Sequence, residues 1–463
     1  MKGIKAGLLP LYLKLYDDIT PERHDECRKF YGKIAAELER LGVTVETVPL
    51  CRVREEFIQG VNHFNESGVS CIITLHLAYS PSLESAEILA RSDLPVIILD
   101  TTPDFSFGPG QDRSRIMHNH GIHGVQDLCN LLLRMNKPFL IEAGHFSRSD
   151  VLSRVVSRLP AVRMARDMKQ AKVGCIGTPF PGMGDFAVPF PELKQRIGIN
   201  VLQLKQDEFK YYLGQIDKNS VDREMDEDRM KFDVQDVPEV VHIRSVKTGL
   251  ALRSWIQENE LTGFTFNFMD ITEEAGFPTV PFLEAGKAMS RGTGYAGEGD
   301  VLTAALAGSV LSVFPETSFT EMFCPDWEGG RIFLSHMGEI NVNLLPEGSR
   351  IKEMEYIFST AGNPAFVPGR FKEGEGVLIN CAPGADGLFR LILSPVSVDG
   401  TGDDPGLRDS VRGWIKPRGS LENFLEQYSR LGGTHHLLLT YGGDLEHLRT
   451  FGKLMGWNVD IIE

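Results

Sequence analysis

The feature that most constrains this chain is the regular alternation of short apolar, β-branched runs with helical patterns through its first third. An apolar run over residues 5–13 leads into a helical pattern opening at Thr20-Pro21-Glu22, with a capping residue, proline at the first helical position and an acidic first turn. That pattern stops near Gly42, a suitable residue for a left-handed helix end. Strand-like segments at 43–50, 69–77, 95–100 and 138–142 then alternate with helical ones at 55–65, 82–90, 123–134 and 150–167. Parallel strands need long crossovers, and those crossovers cover both faces of the sheet. Residues 1–170 therefore read as a Rossmann-like or flavodoxin-like N-terminal α/β domain.

A second series begins with a strand at 172–178 that runs into a Gly/Pro-rich loop, Gly177 to Gly184. It includes a highly charged stretch at 217–236, read as a solvated helix or surface excursion, and closes a central α/β domain over 171–315. Beyond that, strand-like 331–345, 376–381 and 388–396 are separated by Gly/Pro/Asp turns with little helix between them. Residues 316–463 read as an antiparallel, barrel-like β domain to which α/β elements return at the end. The expected fold class is α/β: two Rossmann-like or flavodoxin-like domains followed by this barrel-like one.

Lys+Arg 48 against Asp+Glu 63 gives a formal charge of -15, which disfavours nucleic acid and anionic membrane surfaces as partners. No stretch approaches the roughly 20 apolar residues of a membrane span. The opening Met1-Lys-Gly-Ile-Lys-Ala-Gly-Leu-Leu-Pro10 lacks the apolar core of a secretory signal. The 7 cysteines are dispersed with no Cys-x-x-Cys pair, which reads as reduced and buried thiols in a cytoplasmic protein.

Four residues in the C-terminal half could ligate a metal: Glu298 in Tyr-Ala-Gly-Glu-Gly-Asp, Glu321 in Thr-Ser-Phe-Thr-Glu-Met, His336 in Ser-His-Met-Gly-Glu, and His436 in Gly-Gly-Thr-His-His. Two carboxylates with two imidazoles make an N/O set suited to Mn²⁺ or a similar divalent ion, and such a site can hold adjacent sugar oxygens. The Gly292-to-Asp300 segment lacks a Walker lysine and a convincing strand leading into it. It reads instead as an approach whose glycines allow tight backbone turning, aiming Glu298 into a cleft at a helix start near Asp300. His118, His120 and His123 read as a loop contributing substrate hydrogen bonds, and Glu339 as a carboxylate outside the ligand set.

These phrases, in this order, resemble the L-arabinose isomerase group of the L-arabinose/L-fucose isomerase superfamily. Phe-Pro-Thr-Val-Pro-Phe-Leu-Glu-Ala around Pro278 belongs to the same match, which spans about residues 264–463. His123-Gly124 and Tyr79-Ser80-Pro81 resemble family elements in the N-terminal third. The resemblance implies Glu298, Glu321, His336 and His436 as Mn²⁺ ligands, with Co²⁺ or Mg²⁺ as alternatives, and His435 as a substrate-side neighbour. It also implies a homo-oligomer, hexameric or trimeric, with active sites at subunit boundaries and His123 reaching the sugar of an adjacent subunit.

The implied activity is aldose–ketose isomerisation of an open-chain pentose, hexose or deoxyhexose through an enediolate, with Glu298 and Glu321 carrying protons. The alternatives are a metal-dependent epimerase and a non-catalytic sugar-binding or regulatory protein. The chain departs from the family at Val301, where tryptophan is usual, and at Leu9-Pro-Leu-Tyr-Leu-Lys-Leu-Tyr16, which replaces Gln-His-Leu-Tyr-Gly. The metal core therefore predicts the reaction type rather than the sugar.

Overall fold

A computed structural model describes residues 4–385, 387–400 and 404–463, so the first three residues of the opening stretch lie outside it. The chain forms two compact units, one of residues 1–166 with 453–456, the other of 167–452 with 457–463. Among the described residues no helix is long and apolar enough to cross a membrane.

The first unit holds a five-stranded parallel sheet: β1 (Lys5–Leu11), β2 (Thr44–Thr47), β3 (Cys71–His76), β4 (Val96–Asp100) and β5 (Phe139–Ala143), in the order β2-β1-β3-β4-β5. This is the flavodoxin-like order. β3 is buried along its whole length, as expected for a strand covered on both faces. The strand foreseen at 43–50 shrinks to Thr44–Thr47, because it lies at the sheet edge and pairs on one side only.

The second unit opens with a four-stranded parallel sheet of β6 (Lys172–Ile176), β7 (Asn200–Leu204), β8 (Gly263–Phe266) and β9 (Gly294–Gly297), ordered β7-β6-β8-β9. β9 corrects the sequence reading, which saw only a glycine-rich approach there. Its glycines are required by close packing rather than by tight turning. A Cβ on Gly294 would lie 2.2 Å from the carbonyl oxygen of Ala304 on helix Val301–Leu311, and one on Gly297 would lie 2.8 Å from the ring of His336. A strand made of small residues carries no β-branched signal, so hydrophobic periodicity passes over it.

The charged stretch forms helix Lys218–Lys231, but it is not simply solvated. Glu224 and Asp228 are buried and meet Arg253, Lys287 and His242 at 2.8–2.9 Å or closer. The carboxylates face inward because buried cations pair with them.

A closed barrel completes the unit, its strands interrupted along the chain by a short pair formed by β12 (Lys352–Glu353) and β13 (Ala365–Phe366). Its strands are β10 (Thr317–Asp326), β11 (Arg331–Ser335), β14 (Gly374–Pro383), β15 (Phe389–Asp399), β16 (Gly413–Pro417) and β17 (His436–Tyr441). They run in the antiparallel cycle β14-β17-β10-β11-β16-β15, which β14 closes by pairing with β15. Closure leaves no free edge within the cycle. The terminal β18 (Asn458–Ile461) adds in parallel to β15. The long strand foreseen at 331–345 ends at Ser335, where the chain turns away carrying His336 and Glu339. All seven cysteines are free thiols, and Cys324 is exposed rather than buried, since it lies where β10 runs into solvent past a register shift.

Candidate metal centre

Every element of this site lies in the second unit. Glu298 follows β9 directly and adopts the left-handed conformation, φ 61°, one of three non-glycine residues among those described to do so. Such a backbone is costly for a side chain with a Cβ and persists only where neighbours fix it. The fixing groups are visible. The hydroxyl of Thr265 donates to the carbonyl of Gly297 at 3.2 Å and accepts from the amide of Gly299 at 3.0 Å. The amide of Phe180 donates to the carbonyl of Glu298 at 2.9 Å.

Barrel register supplies the next residues. Glu321 on β10 sits opposite Ser335 of β11 on one side and His436 of β17 on the other. Residues directly opposite in an antiparallel pair project to the same face, so Glu321 and His436 stand side by side. His336 follows Ser335, and the Phe319 ring packs edge-on at 4.8 Å from His336 and 5.0 Å from His436.

Three imidazoles converge with the same polarity. Nδ1 of His436 contacts Asp300 at 2.9 Å, Nδ1 of His336 contacts Glu339 at 2.6 Å, and Nδ1 of His435 contacts Asp185 at 2.6 Å. A carboxylate only accepts, so each Nδ1 carries the hydrogen and each Nε2 points its lone pair inward when the ring is neutral. Nε2 of His436 lies 2.9 Å from Glu321 and 3.5 Å from Glu298. Nε2 of His336 lies 3.3 Å from Glu321, and that of His435 lies 3.7 Å from Glu298. Asp300 does two jobs: one oxygen caps helix Val301–Leu311 through the Thr303 amide at 2.9 Å, while the other orients His436. Glu339 also accepts from the Tyr295 hydroxyl.

The electrostatics follow from this crowding. Burial alone would raise Glu298, but the His435 and His436 imidazoles outweigh it and hold the carboxyl down at about 2. Glu321 is held down in the same way, against burial, by His336 and His436. Burial would lower the imidazoles, yet Glu339 and Glu321 push His336 up to about 10, and Asp185 and Glu298 push His435 up to about 9. His436 is likewise raised by Asp300, Glu298 and Glu321. Five carboxylates face three imidazoles, an excess of acidic groups around the rings.

The donor set fits a divalent cation. One ligand atom each from Glu298, Glu321, His435 and His436 lies within 4.8 Å of all the others. Despite its short contact with Glu321, Nε2 of His436 has no hydrogen-bond geometry, and it and Oε2 of Glu298 are buried without a hydrogen-bond partner. Orphaned lone pairs facing one another at this depth are stabilised by a cation between them. Of the sequence candidates, Glu298, Glu321 and His436 fall inside that group, and His336 touches it through Glu321. His435 is the fourth member of that group, and His336 stands outside it. His123 lies in the other unit, exposed in the first turn of helix Ile122–Arg134.

The sequence matches the L-arabinose isomerase central domain over residues 191–314 and the L-arabinose isomerase C-terminal domain over residues 316–458. The chain belongs to the L-arabinose isomerase family. It is 25% identical to the L-arabinose isomerase of Shouchella clausii over 352 residues, covering 74% of this chain and 71% of that one. It is 26% identical to that of Geobacillus kaustophilus over 353 residues, covering 73% and 69%. Against that of Pediococcus pentosaceus it is 28% identical over 216 residues, covering 46% and 44%.

Residue-level reading of this family member missed Asp185 and Asp300 as partners of the imidazoles. Asp300 was within reach, since it ends the same Gly-Glu-Gly-Asp phrase as Glu298. Asp185 carried no local signal, because it approaches His435 from a loop 250 positions away. Phe186 beside it stacks on His436 at 4.7 Å with a 16° interplanar angle, which no motif announced.

Proposed function

We propose that this chain interconverts an open-chain aldose and its ketose, using Glu298 and Glu321 as proton carriers beside a divalent cation. The observation that supports this most is the convergence of both glutamates with imidazoles whose Nδ1 atoms are each tied to a carboxylate. Glu298, Glu321, His336 and His436 would hold the ion (Mn²⁺, with Co²⁺ or Mg²⁺ as alternatives), and His435 stands close enough to join them. When bound, the ion supplies stabilisation of the negative charge that develops on two neighbouring sugar oxygens.

The chain's own groups do the rest. Glu298 and Glu321 are both held ionised, the form a general base needs. One takes the proton from C2 of the aldose and delivers it to C1, while the hydroxyl proton of O2 passes to O1. Substrate and product are isomers, so nothing enters or leaves. Phe186 and Phe319 pack against the imidazoles and limit the water around them.

The same reading assigns Glu298 to a central domain over 171–315 and Glu321, His336 and His436 to a C-terminal domain over 316–463. It gives His123 and His435 to the sugar, in a homo-oligomer with sites at subunit boundaries.

The test is to load the protein with Mn²⁺ and assay ketose formation from a panel of pentoses, hexoses and deoxyhexoses. Turnover of at least one aldose is expected, falling on the order of 10²–10⁴-fold in Glu298→Gln or Glu321→Gln. Absence of turnover for every aldose would overturn the proposal.

A further inference from the structure

Beside the site lies an aromatic patch that none of these roles uses. The amide of Phe180 is bonded to the carbonyl of Glu298, and the Phe180 ring meets Phe268 at 5.5 Å. Phe268 in turn meets Tyr356 at 6.2 Å and Phe358 at 6.1 Å. On the opposite side Tyr356 packs edge-on against Phe282 at 5.2 Å, and a Cβ on Gly338, the residue before Glu339, would lie 2.9 Å from the Phe282 ring. Tyr356 thus lies in a run of aromatic rings that leads from Phe180, bonded to Glu298, to Phe282, packed at Gly338.

The Tyr356 hydroxyl is the unusual atom here. The residue is 5% exposed, and its phenolic oxygen is buried without a hydrogen-bond partner. Burial raises its pKa, and the nearby charges of Glu339 and Glu298 raise it further, so it keeps its proton as a donor. An unmet buried hydroxyl costs roughly 1–3 kcal/mol, a cost that a structural role does not require, since phenylalanine would fill the same space. The loop that carries it is well anchored. The Tyr356 amide donates to Asn363, the Asn363 amide group donates to Glu353 at 2.8 Å, and the Gly362 amide donates to the carbonyl of Pro278 at 3.0 Å. The hydroxyl is therefore held in place.

We infer that Tyr356 is a specificity-determining residue whose hydroxyl bonds one hydroxyl of an open-chain polyol bound beside Glu298, with Phe180, Phe268 and Phe358 as the apolar wall of that subsite. This inference rests on the sugar-isomerase reading of the site. Phe358 is 54% exposed, so the outer end of this wall faces solvent. Aromatic faces suit the C–H side of a polyol, while a single placed hydroxyl fixes its register. A site built around such a bond discriminates sharply against a ligand that lacks the matching group.

The test uses the full chain loaded with Mn²⁺ and alditols, which have no carbonyl and cannot turn over. Calorimetry with L-arabinitol, ribitol and xylitol identifies the tightest binder. Tyr356→Phe is expected to weaken that binder about tenfold, to leave Mn²⁺ affinity unchanged, and not to lower the melting temperature of the unliganded protein. Equal alditol affinity in the two proteins overturns the inference, as does a parallel loss of Mn²⁺ affinity or the absence of alditol binding by the wild type. The two readings fail separately. A wild type that isomerises an aldose while Tyr356→Phe matches it in alditol affinity and KM removes only the role of Tyr356. A wild type that turns over no aldose, yet binds alditols through the phenol, removes only the isomerase.

Discussion

His76 in the first unit and His436 in the second are both buried imidazoles at strand ends, yet their surroundings drive them in opposite directions. His76 ends β3 with neither ring nitrogen hydrogen-bonded, and burial pushes it down to about 3, with only a weaker opposing pull from Asp127. His436 opens β17 and is fully buried too, but Asp300, Glu298 and Glu321 overcome burial and raise it well above the usual range. Burial alone makes a neutral, inert ring. Burial together with carboxylates from several elements makes a ring that holds either a proton or a cation. His76 stands without a hydrogen-bonded partner, whereas His436 is one of a gathered set.

The largest expected effect follows from that gathering. Mn²⁺ should stabilise the second unit by ~4 kcal/mol at a concentration 1,000 times its Kd. All 4 tryptophans (Trp255, Trp327, Trp414 and Trp457) belong to the second unit, so tryptophan emission during melting reports on it alone. Hydrogen exchange of peptides covering β3 reports on the first. A rise in the emission midpoint with unchanged protection in β3 is expected, and equal gains in both would break the contrast.

The next effect belongs to the first unit and runs through pH. The unfolded chain protonates His76 near 6.5, while the folded chain resists until about 3. The unfolded state therefore binds more protons throughout that window. Stability from this ring is intact above pH 6.5 and falls by ~1.4 kcal/mol per unit as the pH drops toward 3. His76→Leu should flatten the acid limb of β3 protection. An unchanged limb would mean that the ring is not neutral in the folded protein.

The contrast also explains what the sequence could disclose. β1, β3 and β4 were legible because buried parallel strands are runs of Leu, Ile and Val bounded by turn residues. β9 was not, because Gly-Tyr-Ala-Gly packs so closely on helix Val301–Leu311 that larger residues are excluded. Likewise, Glu298, Glu321, His336 and His436 stand out by their local wording, and Asp300 and Glu339 lie in the same phrases. Asp185 does not. Asp185 reaches His435 from a loop after β6, and the Tyr356 hydroxyl acquires meaning only once the aromatic packing around it is fixed. Positions set by barrel register and loop return leave no periodic trace.

The smallest effect is a graded one and distinguishes among the imidazoles themselves. In Asp300→Asn the side-chain oxygen can still cap helix Val301–Leu311, because asparagine caps as well as aspartate. The new amide cannot accept from Nδ1 of His436 at the oxygen it replaces, so the ring is biased toward the tautomer that protonates Nε2 and loses its ligand lone pair. The His436–Asp300 pair is 0% exposed on both sides, so water cannot take over, and Mn²⁺ affinity should fall on the order of 10–100-fold. Asp185→Asn is milder at His435, because a single Asp185 oxygen accepts from both the backbone amide and Nδ1 of that residue and asparagine keeps one such oxygen, while the partners are 38% and 36% exposed and solvent can accept the Nδ1 hydrogen instead. The loss there should be less than about tenfold. Calorimetric titration of the two variants with Mn²⁺ decides the order. If Asp185→Asn costs more, the ion draws more on half-exposed His435 than on buried His436, and depth is not what selects its ligands.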